Sequence, residues 1–101
     1  MKTLDEIMND LKACGLPCAF VRFEDPQKTP FCILRMDKSV NVYSDLQMID
    51  PLDTYVIELY YRDPKDRLAF EAFLNKDFIW QRYSTDVPID DSVLMSGYDL
   101  L

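Results

Sequence analysis

Leu4, Ile7, Met8 and Leu11 stand at i, i+3, i+4 and i+7 in MKTLDEIMNDLK, the spacing of one face of a helix. Thr3 and Glu6 have the spacing of a capping box, in which hydroxyl and carboxylate each satisfy an amide that the first turn leaves unpaired. Gly15 suits the left-handed position after a helix, Leu16 the apolar contact beyond it, and Pro17 blocks continuation. The pattern predicts a helix over 4–14.

Beyond Pro17 the grammar changes. PCAFVRF, residues 17–23, is a short β-prone run, followed by the turn-rich EDPQKTP. FCILRMDK, residues 31–38, starts apolar on both faces, as a central strand does, and residues 40–43 continue it past a bulge. SDLQMIDPLD, residues 44–53, is then a long connection carrying Leu46, Met48, Ile49 and Leu52 where polar residues are the rule. Next, Tyr55, Ile57, Leu59 and Tyr61 alternate with Val56, Glu58, Tyr60 and Arg62, the period of a half-buried antiparallel strand. Glu58 and Arg62 share its outer face as a solvated ion pair.

Asp63 caps the following helix, with Pro64 at the first helical position and Asp66 near the positive end of the dipole. Leu68, Ala69, Ala72 and Phe73 form its buried stripe, with Phe70 and Leu74 at the border and Asn75 closing it, so the helix covers 64–74. FIWQRYS (78–84) and SVLMSGYDLL (92–101) are two more strands around the turn TDVPIDD. The expected architecture is one α+β domain over 1–101, ordered α-β-β-β-α-β-β. Its sheet is mostly antiparallel, with four or five strands and both helices on one face. Tyr55, Ile57, Leu59, Phe31 or Leu34, and Trp80 supply the core from the sheet, and Leu4, Leu11, Leu68 and Phe73 from the helices.

A net charge of −7 and a pI near 4.4 argue against binding nucleic acid or anionic membrane, since both need a basic face. No apolar run approaches membrane-spanning length, and the acidic amphipathic N-terminal stretch lacks the pattern of a signal peptide. An odd set of cysteines, Cys14, Cys18 and Cys32, without an export signal fits free thiols in a reducing, intracellular setting.

The chain has no histidine, which removes the commonest general base and excludes Ser–His and Cys–His nucleophile pairs. Three cysteines at these spacings fit small buried apolar residues better than metal ligands. Two glycines cannot build a phosphate-binding loop. Carboxylate–metal hydrolysis, as in a nuclease or phosphoesterase, has only Glu58 and the neighbours Asp90 and Asp91 to draw on; adjacent acids diverge or cap turns. No enzymatic activity and no cofactor are expected. The patch of Leu46, Met48, Ile49 and Leu52 either covers the domain's own sheet or meets a neighbouring subunit.

The order of these pieces resembles a family of small proteins of tailed phages and prophages of Gram-positive bacteria, described as tail completion, tail terminator or head–tail joining proteins. The pieces are GLP at Gly15–Pro17, PFCIL after Thr29, YSD at Tyr43–Asp45, YVIELY at Tyr55–Tyr60 leading through DPKD into a helix, and VLMSGYDLL at the end. The connection SDLQMIDPLD departs from the more polar tip expected of the family. The resemblance implies a structural virion protein made in the host cytoplasm. It would form a homo-oligomeric ring between tail tube and head connector. From the residues themselves, the expected subunit interface is the 44–52 connection, with Leu46, Met48, Ile49 and Leu52, together with an open sheet edge. Carboxylates lining such a ring would let DNA slide past. A small acidic DNA mimic or host-targeting protein is the alternative that composition leaves open.

Overall fold

The computed structural model describes residues 3–37, 43–44, 47–48 and 54–100. Its elements follow in the order α1 (Leu4–Lys12), β1 (Cys18–Phe20), β2 (Phe31–Asp37), β3 (Tyr43–Ser44), β4 (Gln47–Met48), β5 (Thr54–Tyr61), α2 (Pro64–Asp77), β6 (Trp80–Pro88) and β7 (Leu94–Leu100). Five strands form one sheet in the order β1-β2-β5-β7-β6. Only β1 and β2 run parallel; the β2–β5, β5–β7 and β7–β6 pairs are antiparallel. This is the expected α+β fold, with a mostly antiparallel sheet. A separate antiparallel pair joins β3 with β4. It takes Tyr43 from the end of the strand continuation expected over 40–43, whose other residues lie outside the described ones, and Gln47–Met48 from the connection expected over 44–53.

Register fixes which side chains share a face. Leu34 lies opposite Ile57, and Ile57 opposite Tyr98; Cys32 lies opposite Leu59, and Leu59 opposite Ser96. These residues are all fully buried, and Ile7, Leu11, Phe70 and Leu74 from the two helices join the same apolar cluster. Both helices therefore cover one face. Tyr55, Trp80, Leu4 and Phe73 pack partly buried around it, as does Cys18. The outer face is not bare: Val56 and Ile33 are buried, and Phe31 stacks on Tyr60 with ring centroids 5.0 Å apart.

The helix starts follow local chemistry. The Thr3 hydroxyl accepts the Glu6 N–H at 3.2 Å, and the Asp63 carboxylate accepts the Lys65 N–H at 2.9 Å with Pro64 in the first turn. Gly15 has φ +82, the left-handed conformation expected there, although α1 itself ends at Lys12 rather than at residue 14.

The second helix departs more. It runs to Asp77, past Asn75, whose side-chain oxygen accepts the Trp80 indole N–H at 2.9 Å. Its buried side is also turned from the expected one. Leu68 is 57% exposed, Ala69 and Ala72 are exposed, and Phe70 is 3% exposed. The inward stripe is Arg67, Phe70, Glu71 and Leu74, at i, i+3, i+4 and i+7. Two of its four members are charged, so a count of apolar residues points to the wrong side.

The sixth strand is longer than the expected 78–84, reaching Pro88 through register shifts between Arg82 and Ser84 and between Ser84 and Val87. Asp86, in the second irregularity, takes φ +51. Such bulges bend an edge strand and re-aim its side chains.

Candidate functional site

The large apolar side chains left exposed are concentrated in two places. Among the described residues they are Phe20, Val21, Leu68, Ile79, Tyr83, Val87 and Ile89. All except Leu68 lie in, or one residue beyond, β1 and β6, the two edge strands of the main sheet. The nine-residue β6 edge is long, and among the described residues no strand pairs with its outer side. An edge of this kind offers backbone donors and acceptors beside apolar side chains, the usual template for adding a strand. The β1 edge is short. Just beyond it stands Val21, whose φ of +72 is rare for a β-branched residue and whose N–H is held by the Leu34 carbonyl at 2.8 Å.

The sheet also gathers three sulfurs that the sequence leaves apart. Cys18 and Cys32 are direct partners in the parallel β1–β2 ladder, with their Sγ atoms 2.9 Å apart. Cys14 arrives from the turn after α1, its Sγ 3.7 Å from that of Cys18, and all three sulfurs lie within 4.8 Å of one another. The Leu16 N–H donates to the Cys14 sulfur at 3.4 Å, and the Cys18 thiol reaches the Leu16 carbonyl at 3.2 Å. The Cys14 thiol is held far below its ordinary value of 9.0, at about 3, first by its hydrogen bonds with Cys18 and Cys32 and against the effect of burial. Hydrogen bonding to Cys14 pushes Cys18 up to about 12, and the same contacts with burial push Cys32 up. Cys14 is thus the thiol whose ionised form the cluster favours, while Cys18 and Cys32 are held in the protonated form. The expectation of three separate apolar fillers missed this grouping, for which the Cys-x-x-x-Cys spacing across a helix end was the one local sign.

A second polar assembly ties α2 to β6 and β7. One oxygen of Glu71 accepts hydrogen bonds from Arg67 at 3.1 Å, Arg82 at 2.8 Å and the Tyr98 hydroxyl at 2.9 Å. Arg67 also donates to Asp86 at 3.2 Å; Asp86 accepts from the Tyr61 hydroxyl, which lies 2.8 Å from the Ser96 hydroxyl. The Asp86 N–H in the bulge donates to Ser96 at 3.1 Å. Among the described residues no buried side-chain polar atom lacks a partner, so the buried members of this network are all satisfied. Burial works against ionised Glu71, but the hydrogen bonds from Arg82, Tyr98 and Arg67 prevail and hold its carboxyl below the usual range.

Glu58 and Asp90, two of the three carboxylates considered for metal chemistry, are otherwise engaged. Glu58 pairs with Arg35 of β2 at 2.6 Å, not with Arg62, and accepts the Tyr60 hydroxyl at 3.2 Å. Asp90 accepts the Ser92 and Val93 N–H groups, both at 2.9 Å, which caps the β6–β7 turn and lowers its carboxyl below the usual range. Of the apolar patch, Leu46, Ile49 and Leu52 lie outside the described residues; Met48 is placed in β4 by its backbone, opposite Tyr43.

No protein-family model matches the chain, and a search of curated proteins finds no match. Among the described residues no helix is long and apolar enough to cross a membrane.

Proposed function

We propose that the chain is a structural virion protein of a phage or prophage, acting at the head–tail junction as a tail terminator or completion protein that closes into a ring. The observation that supports this best is the pairing of exposed apolar side chains with two unlike sheet edges. Head-to-tail rings need such a heterologous contact, one surface meeting a different surface on the next copy. Strand directions favour it. In the sheet β1, β2 and β7 run one way and β5 and β6 the other. A neighbour displaced sideways in the same orientation then sets β6 antiparallel to the neighbour's β1, so one pattern of hydrogen bonds can repeat around a ring whose axis runs along the strands.

The energetics suit assembly on a template. Burying a few of Ile79, Val87, Ile89, Phe20 and Val21 contributes about 1.5–3 kcal/mol each at most. Association costs on the order of 4–15 kcal/mol, so isolated subunits associate weakly and a tail tip that aligns them completes the ring. The acidic balance of the chain suits a lumen through which DNA passes.

Deleting the gene from a strain whose induced prophage encodes it tests the function. Separate heads and unfinished tails are expected, and joined infectious particles without the protein would contradict it. Complementation with Ile79→Asp and Val87→Asp tests the surface. Both variants should melt within about 4 °C of the parent, as surface changes do. Joined particles should nonetheless fall at least tenfold.

A further inference from the structure

We propose that Cys14, Cys18 and Cys32 form a three-thiolate site for a zinc-type cation, a clamp with one open coordination position that joins the end of α1 to β1 and β2. Geometry carries this. Zinc–sulfur bonds of about 2.3 Å place tetrahedral thiolates roughly 3.8 Å apart. The sulfurs here are separated by 2.9 Å, 3.7 Å and at most 4.8 Å, which brackets that value. Side-chain rotation at Cys18 and Cys32 supplies the missing distance of about 1 Å without altering the β1–β2 register. Among the described residues this is the one group of cysteine, aspartate, glutamate or histidine side chains close enough to share an ion.

One of the three sulfur-bearing residues also borders open space. Cys14 lines a cleft of about 90 Å³ whose walls include Pro30, Phe73 and the carboxyl-bearing Asp66. Three protein sulfurs leave the fourth position of a tetrahedral ion open, for water or an exogenous ligand. Thiolates select zinc and its softer analogues over magnesium or calcium, which prefer oxygen. Binding is simple exchange. The cation forms three metal–sulfur bonds, the thiol protons still present pass to buffer, and no electron moves.

The clamp acts where local structure is thinnest. β1 has only three residues, and Val21 beyond it holds a left-handed backbone. Tying Cys14 and Cys18 to Cys32 anchors that edge to a central part of the sheet.

The test uses the full chain, reduced with a non-thiol reagent and freed of metal. Zinc is titrated in competition with a chromophoric chelator, with magnesium as control, and cobalt(II) serves as an optical probe of coordination. One equivalent of zinc should bind with micromolar or tighter affinity, and cobalt should show thiolate charge-transfer and tetrahedral bands. At a hundredfold excess over the dissociation constant zinc should raise the melting temperature by roughly 10 °C, while magnesium leaves it unchanged. Cys14→Ser should weaken zinc binding about a hundredfold or more, since even outer-shell partners are worth tenfold to a hundredfold. Its half-buried position in a turn should leave the metal-free melting temperature near that of the parent. Cys18→Ser provides an independent check if Cys32→Ser does not fold. Binding no tighter than millimolar, equal binding by the Cys14→Ser and Cys18→Ser chains, or a Cys18–Cys32 disulfide forming as fast with zinc as without would each overturn the site.

Discussion

Phe70→Ala lowers the unfolding free energy by about 3–5 kcal/mol, while Leu68→Ala, two residues away, changes it by less than about 0.5 kcal/mol. Phe70 is 3% exposed and packs against Phe73 and the fully buried Tyr98, with ring centroids 6.0 and 5.8 Å away. Removing the ring leaves a cavity between α2 and β7 that neither rigid element can close. Leu68 stands 57% exposed on the far side of the same helix. Urea unfolding of the two variants, compared at unchanged slope, reads the difference directly. Equal losses would mean that the helix is rotated from the orientation described.

Glu71→Ala is the second large effect, about 3 kcal/mol, or roughly 10–20 °C in melting temperature. The substitution does more than delete a surface ion pair. Glu71 is 13% exposed, and three donors converge on one of its oxygens. Without it, the buried Tyr98 hydroxyl loses its acceptor, and Arg67 and Arg82 lose their shared carboxylate. Glu71→Gln keeps an acceptor and should cost less than half as much.

The pH dependence separates charge from packing. The Glu71 carboxyl sits below its ordinary value of 4.5, so the unfolded chain takes up this proton more readily than the folded one. Its contribution is complete above about pH 4.5 and is lost as pH falls through the lower folded value. The stability gap between parent and Glu71→Gln, followed by melting from neutral to acid pH, should therefore narrow below that point. A gap that stays constant or widens would assign the effect to shape alone.

These residues also show where sequence reasoning succeeds and where it stops. The junction at Asp63 and Pro64 was legible because its causes are local: an alternating strand, a capping carboxylate, and a proline where no amide is needed. The order of the main elements followed for the same reason. The face of α2 was not legible, because Arg67 and Glu71 occupy inward positions that become tolerable only once Arg82, Asp86 and Tyr98 arrive from β6 and β7. The extension of β6 was hidden similarly. Residues 85–88 have the composition of a turn, yet they continue the strand through a bulge held by Ser96. The thiol cluster depends on Cys18 lying opposite Cys32, a register that no local pattern encodes. The apolar positions 46, 49 and 52 fall outside the described residues, so of the expected interface, loop and open sheet edge, the described residues include the edge.

Cryo-electron microscopy of induced particles addresses the edge-to-edge ring most directly. The expected density is a closed ring at the head-proximal end of the tail. In it β6 of each subunit, flanked by Ile79 and Ile89, runs antiparallel to β1 of the next. Absence of the protein from joined particles, or a ring whose subunits meet through their helices with both sheet edges facing solvent, would contradict the account.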